Sequence, residues 1–379
     1  MGYCTIYVLA GIFLLSRGFS NSQVGVTITI ANAVSLLSQP VVAAAADKSK
    51  KLSLQSITAL MLLAEILIAL ALLFLPPVVL PTSILFILLV SLFIPQVSLV
   101  TSMSIEHINS GVPLNYSLAR GIGSFAFAIL SLLMGFLVET FGTETVMIAD
   151  IVRCLLGILL VLTFPRAKTK HPTSGNVESA ASGLFEFAVK NKRFIAVVIS
   201  SAILFMSHSF INTFTIQIVR HIGGDSSDMG VAVAVAGFVE LPAMALFPLI
   251  YKKIRNPGTI MKLSGAFFVI KAVITLAAPN MLWINVAQCL QFFTYAMFLP
   301  ASVYYVNHVV READKVKGQA LMGMSWGISG MLGGVLGGFM LDASGGVNLM
   351  LTMGVVISAA GLLLLTFIDN YRLKPARDI

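Results

Sequence analysis

The chain has 379 residues, of which 58% are Ala, Val, Ile, Leu, Met, Phe, Trp, Tyr or Cys and only 11% are charged, whereas soluble domains carry about 25% charge. With a mean hydropathy of +0.95, this composition excludes a soluble globular domain. It leaves a polytopic membrane protein, whose counting unit is the ~20-residue apolar span that crosses ~30 Å of hydrocarbon. The net charge of +8 comes with no basic tail and no interleaving of basic with aromatic residues, so nucleic acid is not the partner.

Apolar stretches bounded by Pro, Gly and charge predict helices over 1–16, 21–46, 53–75, 80–103, 116–139 and 143–164, then over 194–219, 227–251, 258–278, 280–308, 315–341 and 346–368. Residues 1–16 lack a cationic n-region and a cleavage site, so they read as a span and not as a signal peptide. Alternate loops divide the basic residues unevenly: 20 Lys and Arg fall on one side, Arg17 and Arg220 on the other, and Arg153 and Lys271 within spans. That bias predicts which side is cytoplasmic, and the C-terminus falls there. Cys4, Cys154 and Cys289 sit in apolar runs and read as packing residues. No metal site and no cofactor is expected.

The longest loop, 165–193, opens with Arg166, Lys168 and Lys170, and Val177, Ala181, Leu184 and Ala188 then recur at helical spacing. It predicts an amphipathic helix on the membrane surface. The chain is thereby divided into an N-terminal six-helix bundle (1–164), a cytoplasmic linker (165–193) and a C-terminal six-helix bundle (194–379). The halves match each other: Ser20-Asn-Ser-Gln-Val-Gly-Val26 pairs with Asp225-Ser-Ser-Asp-Met-Gly-Val231, and Gly135-Phe-Leu-Val-Glu139 with Gly338-Phe-Met-Leu-Asp342. A parallel repeat of six spans is the pattern of a two-bundle transporter with its solute site between the bundles near the midplane. Set against helix 7, helix 1 starts about eleven residues late, which points to an N-terminal truncation or a misplaced start.

Ionisable groups inside spans carry information because each costs at least ~2.5–3.5 kcal/mol on insertion scales and faces a partner or water. Five qualify: Glu65, Asp150, Arg153, Glu240 and Lys271. Asp150 and Arg153, three residues apart, share one face of helix 6, with Glu65 on helix 3 as a third member. The depths of Glu240 on helix 8 and Lys271 on helix 9 allow a pair. Two roles fit that pair, a static salt bridge or a proton site whose affinity depends on the nearness of the cation.

Several motifs together resemble the major facilitator superfamily, in the branch of lactose permease, the nucleoside permeases and the phenylpropionate permease. Ala43-Ala-Ala-Ala-Asp47-Lys48-Ser-Lys50-Lys51 resembles the superfamily's loop signature between helices 2 and 3. Asn115-Tyr-Ser-Leu-Ala-Arg120-Gly, Glu240-Leu-Pro242, Gln288-Cys-Leu-Gln291-Phe-Phe-Thr294 and Pro300-Ala-Ser-Val-Tyr-Tyr305 resemble the branch. The resemblance implies an all-α membrane protein of twelve transmembrane helices in two pseudo-symmetric six-helix bundles. It also implies gating through Asp47, Lys48 and Lys51, and a cavity lined by helices 1, 4, 7 and 10. Polar stripes lie on those helices: Tyr3 and Tyr7; Ser91, Ser98, Ser102 and Glu106; Ser201, His208, Asn212 and Thr215; Asn285, Gln288, Gln291, Tyr295 and Ser302.

Tyr3, Tyr7, Arg120, His208, Asn212, Gln288, Gln291 and Tyr295 are accordingly the candidate solute contacts, since amides and hydroxyls orient a hydroxylated ring while aromatic faces pack on it. Glu240 and Lys271 are the first candidates for proton coupling, and Asp150, Arg153 and Glu65 the second, a structural role being the first expectation for those three. Gln291 and Thr294 stand where lactose permease has titratable groups, and Arg120 falls two places late, so galactoside specificity is not implied. Gly323-Met-Ser325-Trp-Gly327 matches the hydrolase elbow pattern but lies within a helix, where that chemistry has no strand-to-helix turn. The expected protein is a monomeric, proton-coupled importer of a sugar-like, nucleoside-like or aromatic solute, with membrane lipid as its surroundings. An exporter of amphipathic compounds is the alternative, and an enzyme is not expected.

Overall fold

The structure, a computed structural model, describes residues 2–48, 53–109, 116–165, 187–311 and 314–368. Lys51 and the proposed surface helix of the linker lie outside the described residues. The same holds for the side chains of Asp47, Lys48, Glu106 and Arg120, although their backbones are helical.

The described chain is helical throughout, in the predicted order. Helix α1 is a π-helical segment, Tyr3–Val8, leading into Ala10–Ser16; α2 is Asn21–Lys48, α3 Leu54–Phe74, α4 Val79–Asn109, α5 Tyr116–Phe141 and α6 Thr145–Thr163. In the second half α7 runs Lys192–Thr213 and, after a break at Phe214, Thr215–His221; α8 is Ser226–Ile254 and α9 Pro257–Leu276. Helix α10 is Met281–Cys289 and Tyr295–Val309 joined by a 3-10 turn, α11 is Lys315–Asp342 and α12 Gly346–Ile368.

Local signals set the boundaries. Ser53 accepts from the Ser56 N–H, Asn256 from Thr259 ahead of Pro257 in the first turn, and Asn280 from Leu282, each satisfying a donor that a helix start leaves open. Among the described residues, α3 to α12 are the ten helices long and apolar enough to cross a membrane. Helix α2 is long enough but carries polar residues on more than one face, and these are spent inside the protein. Thr27 reaches Ser83 (3.3 Å), Thr29 donates to the Met331 carbonyl (2.8 Å) and Ser38 to the Ser91 carbonyl (3.0 Å). Polar residues join helices in this way where lipid offers them no partner.

Within the first half α2 packs on α4, α3 on α4 and α6, and α5 on α6; within the second, α7 packs on α11 and α12, and α9 on α10 and α12. The halves meet along two crossings, α5 with α8 and α2 with α11. Small residues allow the backbones to touch there: a Cβ on Gly135 would stand 2.7 Å from the Ser226 carbonyl, and one on Gly25 would overlap the Gly334 carbonyl. Both crossings use the helix ends farthest from the basic loops. Toward the basic side the described residues part: a Cβ on Gly123, Gly323 or Gly327 would meet no described atom within 4 Å. Among the described residues the bundles are closed on the side poor in Lys and Arg and separated on the rich side.

Candidate functional site

Two polar networks lie inside the helices. In the first half, the Arg153 guanidinium bonds both Glu65 and, at 2.9 Å, Asp150. Both carboxylates have no exposed surface. Gln96 on α4 donates to Glu65 (2.6 Å) and Thr5 on α1 to Asp150 (2.8 Å). The predicted triad therefore forms, and two helices that sequence reasoning left out of it are tied in. Glu65, Asp150 and Cys154 place possible ligand atoms within 4.8 Å of one another. Arg153 already takes both carboxylates, so these residues do not fit a cation site.

In the second half, Lys271 is buried and its ammonium donates to the side-chain carbonyls of Gln288 (2.9 Å) and Gln291 (2.8 Å). The Gln291 amide nitrogen then donates to Glu240 (2.9 Å). Sequence reasoning expects Lys271 and Glu240 to meet as a pair; the structure joins them through Gln291. The helical spacing places Gln288 and Gln291 in a solute-facing stripe; in the structure both are buried and face Lys271. The reason is energetic: a buried ammonium needs acceptors, and two amide carbonyls supply them. The 3-10 turn Leu290–Phe292 falls at this point, and the buried Thr294 hydroxyl beyond it has no hydrogen-bond partner among the described residues. A helix interrupted at mid-membrane is characteristic of solute and ion sites in transporters.

The remaining candidates form two aromatic groups. Tyr3 packs at 5.6 Å from Tyr7 and edge-on to Phe93 (5.1 Å), and the Tyr7 hydroxyl donates to Asn32 (2.8 Å). Arg153 lies 5.5 Å over the Phe93 ring, so this group rests on the ion network. In the second half His208 stacks on Tyr295 at 5.5 Å and receives the Asn212 amide N–H at 2.7 Å. Phe205 stands edge-on to His208 and Tyr295 and packs against Trp326.

Tyr295, Ser302, Gln319, Met322 and Trp326 border a cavity of about 410 Å³ between α10 and α11. The buried Trp326 indole N–H and His208 Nδ1 have no hydrogen-bond partner among the described residues. Trp326 escapes sequence reasoning although it is one of only two tryptophans, because it falls inside a glycine pattern that reads as helix packing. Asn32, Gln96 and Thr5 carry no signal beyond being polar residues in spans.

Two bundles that touch on one side, part on the other, and hold polar networks between the two levels define a membrane transporter of the alternating-access architecture. The model of the MFS_1 like family matches residues 6–352, so the chain belongs to this family of the major facilitator superfamily. Among solved structures it is similar to a point mutant of the nucleoside transporter NupG (TM-score 0.85, 13% identity, covering 97% of this chain and 96% of that one). NupG without that mutation gives a TM-score of 0.78 at 15% identity over 98% and 96%. A D-xylose-proton symporter gives 0.67 at 13% over 98% and 94%. No curated protein matches in sequence. The chain is thus a multi-pass secondary transporter by family, and the likeness to the solved structures establishes its fold.

Proposed function

We propose that the protein imports a small hydrophilic organic solute bearing a ring, in the class of sugars, nucleosides and aromatic acids, together with protons. In this reading it sits in the cell membrane with the basic side and the C-terminus in the cytoplasm, and it performs no catalytic chemistry. The observation that carries the solute class is the second-half wall, where the stacked His208 and Tyr295 stand beside Trp326, and the indole N–H and His208 Nδ1 have no partner among the described residues. Ring faces offer packing to a planar or pyranose surface, while these nitrogens and the Asn212 amide offer the directional bonds. Tyr3 and Tyr7, from the other bundle, supply the opposite wall, and Arg120 remains a candidate contact. That two of the similar structures are of a nucleoside transporter, and another of a D-xylose-proton symporter, supports the class.

Coupling is assigned to Glu240. Its charge is held by an amide that in turn holds Lys271, so a movement of α10 on solute binding alters the stabilisation of the carboxylate and with it its proton affinity. Glu65, Asp150 and Arg153 serve first as scaffold and rank second as a coupled site. Asp47, Lys48 and Lys51 are assigned to closing the basic side, by a carboxylate at a helix N-terminus.

Uptake by whole cells of nucleosides, oligosaccharides and aromatic acids, with and without a protonophore, tests the proposal. Accumulation of one class that the protonophore abolishes is the expected result. Uptake of none, with extrusion of amphipathic dyes, would replace import by export.

A further inference from the structure

Each half of the repeat begins its second helix with a reciprocal cap that stops short of completing itself. At α2, the Gln23 N–H bonds Ser20 Oγ (3.2 Å) and the Ser20 N–H bonds Gln23 Oε1 (2.9 Å). At α8, Asp225 and Asp228 do the same at 2.9 and 3.3 Å. The N–H groups between the capping residues have no acceptor within their own helix. In both halves a carboxylate from the opposite bundle takes one or both of them. Asp342, closing α11, accepts from the N–H of Asn21 (3.2 Å) and of Ser22 (2.7 Å) and from the Asn21 amide (2.9 Å). Glu139, near the end of α5, accepts from the Ser226 N–H (3.1 Å).

Glu139 and Asp342 are repeat counterparts, as are the two caps they serve. Four residues before each carboxylate lies a glycine, Gly135 or Gly338, at which the bundles touch through their backbones. The contact is thus built twice from one pattern: glycine for approach, carboxylate for the opposing helix start. Asn21 extends the first copy, its side-chain carbonyl accepting from Gln217 on α7 at 3.0 Å.

We propose that Glu139 and Asp342 are the positioning residues of a paired latch that holds the side poor in Lys and Arg closed, and that both carboxylates release their helix starts when this side opens. The inference rests on the alternating-access reading. A carboxylate at a helix N-terminus gains from the partial positive charge of the open N–H groups. When the bundles part, water satisfies both partners, so the bond is reversible. The two copies are unequal. Asp342 gathers three donors and Glu139 one, and Asp342 dominates the closed state.

Spin labels at Glu144→Cys, before α6, and Asn348→Cys, in α12, report the separation of the bundles on this side by pulsed electron spin resonance. The purified full chain in lipid nanodiscs is used without solute, in a Cys289→Ser background because Cys289 is exposed. Asp342→Ala should shift the ratio of short to long distances about tenfold toward the long, and Glu139→Ala about two- to threefold. Asp342→Glu, which keeps the charge, should restore most of the short population. The isosteric Asp342→Asn guards against misfolding and should fall between. Unchanged distances in a folded Asp342→Ala, Glu139→Ala double variant would overturn the latch. Because no solute or proton gradient enters, this outcome is independent of whether the solute class and coupling are correct.

Discussion

The two intramembrane networks use charge in opposite ways. In the first half a single guanidinium touches both carboxylates directly, and Thr5 and Gln96 fill positions around them. In the second half the ammonium and the carboxylate are both held by an amide, Lys271 to Gln291 to Glu240. Direct contact between buried opposite charges is costly to break, since separation leaves each uncompensated. An amide bridge can be remade with water or a solute hydroxyl at far smaller cost. The first arrangement suits a joint that stays fixed while the bundles move, and it binds four helices, α1, α3, α4 and α6. The second suits a joint that changes during the cycle, and it lies at the interrupted helix α10.

Removing the cation from each network should separate them most sharply. Arg153→Met strands two buried carboxylates and should cost about 3–5 kcal/mol, seen as a large fall in melting temperature or in recovered folded protein. Lys271→Met leaves two amide carbonyls without their donor, a loss of about 1–3 kcal/mol. It should yield folded protein that binds solute but does not accumulate it. Equal destabilisation by the two substitutions would remove the distinction.

Smaller changes sharpen it. Thr5→Val deletes one of the donors to Asp150 and should lower stability by about 1 kcal/mol, with solute affinity altered only through the neighbouring Tyr3 and Tyr7. Trp326→Phe keeps a ring at the cavity wall and removes the indole N–H. Trimming this half-buried ring, which packs on Phe205 and Tyr295, should cost about 1 kcal/mol of stability, while the KM for uptake rises severalfold. A stability loss with unchanged KM would move Trp326 from the solute wall to the packing core.

Much of this architecture was legible before any coordinates, for reasons that differ by region. The spans followed from the Pro, Gly and charged residues that bound the apolar stretches, while the caps at Ser53, Asn256 and Asn280 emerge only in the structure. The triad was legible because Asp150 and Arg153 share a helical face and Glu65 had few other partners to seek. The role of Gln291 was not legible, since an amide on a polar stripe can face a solute or a lysine and periodicity does not distinguish them. Nor was the break in α10, because residues 290–294 contain neither proline nor glycine. The latch was visible as two repeat matches, but a sequence match does not state that Asp342 caps the helix opening at Asn21 across 321 residues of chain. The division at 164 and 194 crosses residues 166–186, outside the described structure, and stands as our proposal.

The proposed coupling hinges on Glu240, and Glu240→Gln in proteoliposomes addresses it most directly. Glutamine resembles the protonated carboxyl and can still meet Gln291. With a solute identified by the uptake screen, exchange of labelled for unlabelled solute should proceed near the parent rate, while accumulation driven by an imposed proton gradient should be lost. Full gradient-driven accumulation by the Gln variant would contradict the assignment and move coupling to Glu65 and Asp150, the buried carboxylates among the described residues.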